Sequence, residues 1–265
     1  MPRIAPGSNV DTQAELADDA EIGPGCVVEG RVTIGPGTRL VGNVYLHGPL
    51  TIGAENIIYP FCCIGFEPQD LGFDAATLGA GVRIGDRNHF RESVTIHRAT
   101  GEHPTTIGSD NYFMVNSHAA HDVCVGDGCI LANGVLLAGH VQLQDSAILA
   151  GNAGVHQFCR IGRLAIISGC QAITQDMPPF CAGYESRKVG SLNLVGLRRA
   201  GYRQHIKPLQ QAFDILYRHS HTNATAVELI EQELGADSLC AELAAFVRDS
   251  IRGITPYGRS EARDE

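Results

Sequence analysis

An aliphatic residue returns at every sixth position along most of this chain, and that period leaves few folds open. From Ile4 the steps land on Val10, Leu16, Ile22, Val28, Ile34, Leu40, Leu46, Ile52, Ile58 and Ile64. From Ile107 they land on Phe113, Ala119, Val125, Leu131, Leu137, Leu143, Leu149, Val155, Ile161, Ile167 and Ile173. Every one of these positions is apolar, in a chain that is only 44% hydrophobic. A six-residue period matches neither the turn of an α-helix nor the two-residue alternation of a strand. It is the hexapeptide signature of a parallel β-helix, in which each unit forms one short side and points one aliphatic inward. Three sides close a coil, so residues 18 apart stack at roughly the 4.8 Å strand spacing. With Leu78, Ile84, Phe90 and Ile96 added, 27 inward positions make nine coils and a prism of about 43 Å.

The period slips twice, between Ile64 and Leu78 and between Ile96 and Ile107. These slips predict loops near 65–77 ("GFEPQDLGFD") and 97–106 ("HRATGEHPTT") that leave the prism, and loops on a rigid scaffold are where function tends to sit. Past Ile173 the repeat stops at "QDMPPF", where Pro178 and Pro179 stiffen the exit. From about Gly196 the pattern becomes helical, as in "PLQQAFDILY". The expected organisation is therefore a β-helix domain over 1–190 and a small α-helical domain over 191–265. Its helices would cover the open end of the prism, which otherwise presents unpaired strand groups. The polar tail "GRSEARDE" is expected to be disordered.

Composition narrows the function. Aromatics are only 6% with no Trp, so the core must be built from the repeated aliphatics. A net charge of −9 argues against nucleic-acid binding, which needs a basic surface, and leaves an acidic partner dependent on a local basic patch. The nine cysteines are an odd number and include no CxxC pair, so they read as small packing residues, Cys26 and Cys170 within the repeat among them. The N-terminal stretch lacks the regions of a signal peptide, and no apolar run reaches the roughly 18 residues that span a bilayer. A cytoplasmic protein with reduced thiols is expected.

The 18-residue stacking then gathers polar residues. His121, Gly139 and Gln157 fall in one column near a corner, and Asp122 and His140 fall in the neighbouring column. With His118 they form a compact cluster in a background of small and aliphatic residues. An imidazole beside a glycine NH pairs a proton acceptor with a donor for a developing oxyanion, which suits acyl transfer onto an alcohol. The competing readings are corner histidines that decorate a solvated surface, and zinc held by His118, His121 and His140. The histidine spacing of the metal-dependent prism enzymes is absent.

The segments "SHAAHD", "CILAN", "LAGHV", "VHQFCRIG", "IGDRNHFRESVTIHR" and "GLRRAGY" resemble the UDP-N-acetylglucosamine O-acyltransferases that begin lipid A biosynthesis, and the similarity runs over nearly the whole chain. That resemblance implies an all-β, left-handed parallel β-helix followed by a small α-helical C-terminal domain. It implies transfer of a 3-hydroxyacyl chain from acyl carrier protein to the sugar 3-hydroxyl, in the cytoplasm, without metal or other cofactor. It implies a homotrimer with active sites between neighbouring prisms. Residue by residue, His121 matches the general base, Asp122 the carboxylate that assists it and Gly139 the backbone oxyanion donor. His118, His140, His156 and Gln157 match residues lining the site, while Asp70, Asn193 and Arg199 match nucleotide-sugar contacts. Gly169 matches the ruler position that sets acyl-groove depth. Neighbouring strand residues normally point to opposite faces, so pairing Asp122 with His121 requires a corner that breaks the alternation.

Three positions depart from the pattern. Gly72 stands where the family has Lys, Val195 where it has Glu, and Ala200 where it has a second Arg. All three match the nucleotide-sugar side. They leave room for a modified acceptor, such as an amino sugar giving an amide, or for a non-catalytic acyl- or sugar-binding relative. Arg198, Arg203 and Lys207 read either as replacement positive charge or as a docking patch for acidic carrier protein.

Overall fold

The computed structural model describes residues 1–74, 76–183 and 187–258. Strands of two to four residues wind into three parallel sheets, one per prism side. On one side Arg3–Ile4 lies on Glu21–Ile22, which lies on Arg39–Leu40 and then Ile57–Ile58, so that aliphatic stacks on aliphatic. In most coils each strand sends one residue outward and the next into the prism; Ile22, Leu40, Ile58, Phe90 and Leu131 are at most 1% exposed. Between strands the chain turns through corner residues with positive φ, including Asn43, Asp110, Asp122, Ser146 and Asn152. Short polar side chains tolerate that left-handed conformation best among non-glycine residues.

One corner carries a buried polar ladder. The Thr38 hydroxyl accepts from the Asn56 amide, Asn56 Oδ1 from the Asn88 amide, Asn88 Oδ1 from the Asn111 amide and Asn111 Oδ1 from the Cys129 amide. The side-chain NH2 groups of Asn56, Asn88 and Asn111 donate to the carbonyls of Gly85, Gly108 and Gly126. The ladder satisfies buried groups that would otherwise cost about 1–3 kcal/mol each.

Two expectations need correction. Ile84 pairs with Ile52 and the wall resumes only at Val82, so Leu78 is 49% exposed rather than part of the wall. Leu78 meets the six-residue period by coincidence of loop length. The repeat also runs beyond Ile173, because Met177 bridges Ile161 and Ala182–Gly183 pair with Ile166–Ile167. Pro178 and Pro179 are buried within this last coil. Cys181–Gly183 then pairs antiparallel with Val189–Leu192.

Among the described residues four α-helices follow: α1 (Leu194–Arg199), α2 (Ile206–Tyr217), α3 (Asn223–Leu234) and α4 (Ser238–Arg248). The α2 helix buries Leu209, Ala212, Phe213, Ile215 and Leu216 along one face. Arg160 donates to Asp176 and to the Phe246 carbonyl, and Arg163 makes a two-pronged pair with Glu242, fixing α4 on the last coils. The helical segment that the sequence predicts after the repeat is thus present and tied to the last coils through α4. The polar tail falls outside the described residues from Arg259 onward. Among the described residues no helix is long and apolar enough to cross a membrane.

All nine cysteines are free. Burial pushes the Cys62 and Cys129 thiols up to about 12 and that of Cys159 to about 11. Cys26 packs inside the prism, but Cys170 is exposed at a corner and is not a packing residue.

Candidate active site

The corner after His118–Ala119 places the chemistry. Ala119 fills the prism, and the chain then turns through Ala120, His121 and Asp122. Asp122 has φ 59°, which swings its side chain back toward His121 instead of to the opposite face. Nδ1 of His121 lies 2.7 Å from Oδ2 of Asp122. One coil on, His140 takes the same left-handed conformation and brings Nε2 to 3.6 Å from that oxygen. A further coil on, Phe158 repeats it and stacks on His140 with ring centroids 4.5 Å apart.

The neighbouring column is shaped by one missing side chain. A Cβ on Gly139 would sit 2.6 Å from Cε1 and 2.7 Å from Nε2 of His121, so the imidazole takes the place that a side chain here would fill. The Gly139 carbonyl accepts from the Phe158 amide at 3.1 Å, while its own NH has no acceptor among the described residues.

The Asp122 carboxylate is held from a second direction. The Thr100 hydroxyl donates to Oδ2 at 2.6 Å, the Thr100 NH reaches both oxygens at 3.1 and 3.2 Å, and the Gly101 NH reaches Oδ1 at 3.3 Å. The Asp122 NH donates to Thr105 Oγ1 at 2.8 Å. Burial by itself would raise the carboxyl pKa, but the bonds from the Thr100 hydroxyl, His121 and the two loop amides outweigh it and hold it below the ordinary value.

His118 projects from the outer face of the adjacent strand, with Nδ1 2.7 Å from the Thr95 hydroxyl and its ring edge-to-face with His97. Burial, followed by the proximity of His97 and His121, pushes its pKa down to about 4. His118, His121, Gly139, His156 and Gln157 all line one open groove of about 830 Å³, whose floor continues along Leu136, Gly154 and Ala172. The small outward residues leave that floor open; nothing lies within 4 Å of a Cβ placed on Gly154.

The other sequence-derived positions do not join this groove within one chain. Asp70 accepts from the Gly72 NH in an exposed loop turn, although its neighbour Gln69 reaches the groove. Asn193 caps α1, accepting from the Gly196 NH and donating to the Leu164 carbonyl. Arg199 is exposed in the last turn of α1. Gly169 lies exposed at a different corner, where a Cβ would meet the Gly151 carbonyl at 3.0 Å. Gly72, Val195 and Ala200 are all exposed.

Sequence reasoning missed Thr95, Thr100, Gly101, Thr105 and Phe158. The slip in period at 97–106 was the one signal that could have pointed to Thr100. It also named the wrong trio for a possible metal: the ligand atoms that converge, within 4.8 Å of one another, belong to His121, Asp122 and His140 rather than to a set with His118.

The similarities of the chain agree with this arrangement. Residues 176–255 match the family model for domain 2 of UDP-N-acetylglucosamine O-acyltransferase, and residues 104–139 match that for six bacterial transferase hexapeptide repeats. An acyl-[acyl-carrier-protein]–UDP-N-acetylglucosamine O-acyltransferase from Anaeromyxobacter is 42% identical over 79% of this chain and 82% of its own length. One of the same name from Gloeothece citriformis is 45% identical over 71% of this chain and 68% of its own. The solved UDP-N-acetylglucosamine acyltransferase of Francisella novicida superposes with a TM-score of 0.92 at 34% identity, covering 98% of this chain and 95% of that one. With relatives this similar over most of both lengths, the chain belongs to the acyl-[acyl-carrier-protein]–UDP-N-acetylglucosamine O-acyltransferase family.

Proposed function

We propose that the protein transfers a 3-hydroxyacyl chain from acyl carrier protein to the 3-hydroxyl of UDP-N-acetylglucosamine, the first step of lipid A biosynthesis, in the cytoplasm. The observation that carries the reading is the His121 imidazole, paired with Asp122 at 2.7 Å and laid against the Gly139 backbone. Asp122 holds Nδ1–H, which leaves Nε2 to take the proton of the sugar hydroxyl. The hydroxyl oxygen attacks the thioester carbonyl, and the Gly139 NH, free of other acceptors among the described residues, donates to the oxyanion. Collapse breaks the C–S bond, and the proton passes from His121 to the departing thiolate, which leaves as the carrier-protein thiol. His118, His140, His156 and Gln157 then serve to position the donor and the acceptor.

The groove is open on one side, and the large apolar residues exposed on the prism include Phe61, Leu136 and Phe158. A homotrimer would close it, with Asp70, Asn193 and Arg199 supplying the nucleotide-sugar contacts from the assembled neighbours. Asn193 is already spent as a helix cap, so its contact would be made by atoms beyond those two bonds. Arg198, Arg203 and Lys207 line a shallow groove with Leu194 and Ile206, which suits an acidic carrier protein with an apolar contact at its centre.

The chemistry can be tested by offering the purified protein 3-hydroxyacyl carrier proteins and a panel of UDP-sugars. Ester formation on UDP-N-acetylglucosamine is expected. Amide formation on an amino-sugar nucleotide would move the acceptor, as the exposed Gly72, Val195 and Ala200 allow. Binding without turnover would make the protein a non-catalytic relative. The convergence of His121, Asp122 and His140 keeps one other reading in play, a metal-assisted reaction, for which chelation should abolish transfer and zinc restore it. On the present reading chelation leaves the rate unchanged.

A further inference from the structure

The five-residue slip between Ile96 and Ile107 inserts a loop immediately before the coil that carries His121. That loop does not stand clear of the prism: it folds back so that Thr100 and Gly101 reach the Asp122 carboxylate. We propose that Thr100 is a positioning residue of the transfer reaction, its hydroxyl and amide fixing the Asp122 carboxylate in the orientation that pairs it with His121. The inference rests on the acyl-transfer reading of the site.

Three observations carry it. The Thr100 hydroxyl approaches Oδ2 at 2.6 Å, the same oxygen that lies 2.7 Å from His121 Nδ1. A carboxylate with one such partner could rotate about its χ2 torsion, which is broad and soft. The amides of Thr100 and Gly101 remove that freedom by engaging Oδ1 as well. Finally, the backbone of Asp122 is tied to the far end of the same loop through Thr105, so both ends of the loop are bonded to this residue. The hydroxyl therefore does for Asp122 what Asp122 does for His121, and a break in the repeat acquires a chemical purpose. Among the described residues the ionisable groups against this carboxylate are His121 on its own corner and His140 one coil on; the loop contributes only neutral donors.

The test compares the parent, Thr100→Val and Thr100→Ser in steady-state transfer across the pH range. Thr100→Val keeps the shape and removes the hydroxyl. It is expected to lower kcat by roughly ten- to a hundredfold while KM for both substrates stays within about twofold, the pattern of a lost transition-state contact. With one donor to the ionised carboxylate gone, the coupled His121–Asp122 pair holds its proton to higher pH, so the acid limb of the kcat profile, which belongs to that pair, should move to higher pH. Thr100→Ser, which keeps the hydroxyl, should restore both the rate and the limb. Parent-like kcat with an unmoved acid limb in Thr100→Val overturns the proposal, and so does a Thr100→Ser enzyme as slow as the valine variant. Should Thr100→Val melt early, Thr100→Ala is read in its place, and the Asp122 carboxyl carbon is titrated by 13C NMR in the parent. Titration there in the ordinary carboxylate range overturns the clamp. Failure of the acyl-transfer reading itself is distinguishable, since the parent would then lack turnover or His121→Ala would keep it.

Discussion

Gly139 has to satisfy two demands, and both come from its missing side chain. The His121 ring occupies the place where a Cβ would go, and the glycine NH is left open to the groove. Gly139→Ala should therefore push the imidazole off its line with Asp122 without touching the prism core. A misplacement of this order costs about a hundredfold in kcat. Kinetics beside a thermal melt would check it: a full-rate alanine enzyme would mean that the ring tolerates another seat. Gly169 presents the opposite situation, an exposed corner with little around it except the Gly151 carbonyl. If it limits the acyl groove, Gly169→Met removes space for about four methylenes, or roughly 3 kcal/mol from the longest chains. Selectivity should then shift about a hundredfold toward shorter donors. Assays across donors of increasing length decide it, because a uniform loss at every length would reflect damage rather than a ruler.

At the scale of the coil, the asparagine ladder should matter more than its composition suggests. Asn88→Ala removes the acceptor of the buried Asn111 amide and the donor to the half-buried Gly108 carbonyl. Each orphaned group costs about 1–3 kcal/mol, and a solenoid passes such a defect to its neighbouring coils. A clear fall in unfolding midpoint is expected, and a midpoint equal to the parent's would show that water replaces the bonds. The ladder was not legible in the sequence, because the two insertions separate Asn56, Asn88 and Asn111 by unequal steps. The same insertions misled the phase at Leu78. By contrast, where no insertion intervenes the period is reliable, so the His121–Gly139–Gln157 column could be read by stacking alone. Asp122 needed more: only its positive φ, which the spacing does not encode, turns it toward His121. Thr100 contacts it from a loop whose path no periodicity describes.

For the molecule as a whole, acid should weaken the fold in two stages. Burial holds the His118 pKa down at about 4 against an ordinary 6.5, and burial likewise lowers that of His97. The unfolded chain therefore binds protons first, and stability falls as pH drops from about 6.5 toward 4. The depressed Asp122 carboxyl adds its own loss only at lower pH, as the folded group protonates below the ordinary 3.8. His118→Asn should flatten the upper stage, read as melting temperature against pH. An unchanged slope would place the titrating group elsewhere. The prism holds the His121 imidazole between the Asp122 carboxylate and the Gly139 backbone. The most direct measurement is the rate of 3-hydroxyacyl transfer by His121→Ala beside the parent, with sedimentation and melting recorded for both. A loss of about 10²–10⁴-fold in rate is expected, with assembly and stability preserved. A variant that still turns over within a few-fold of the parent would contradict it.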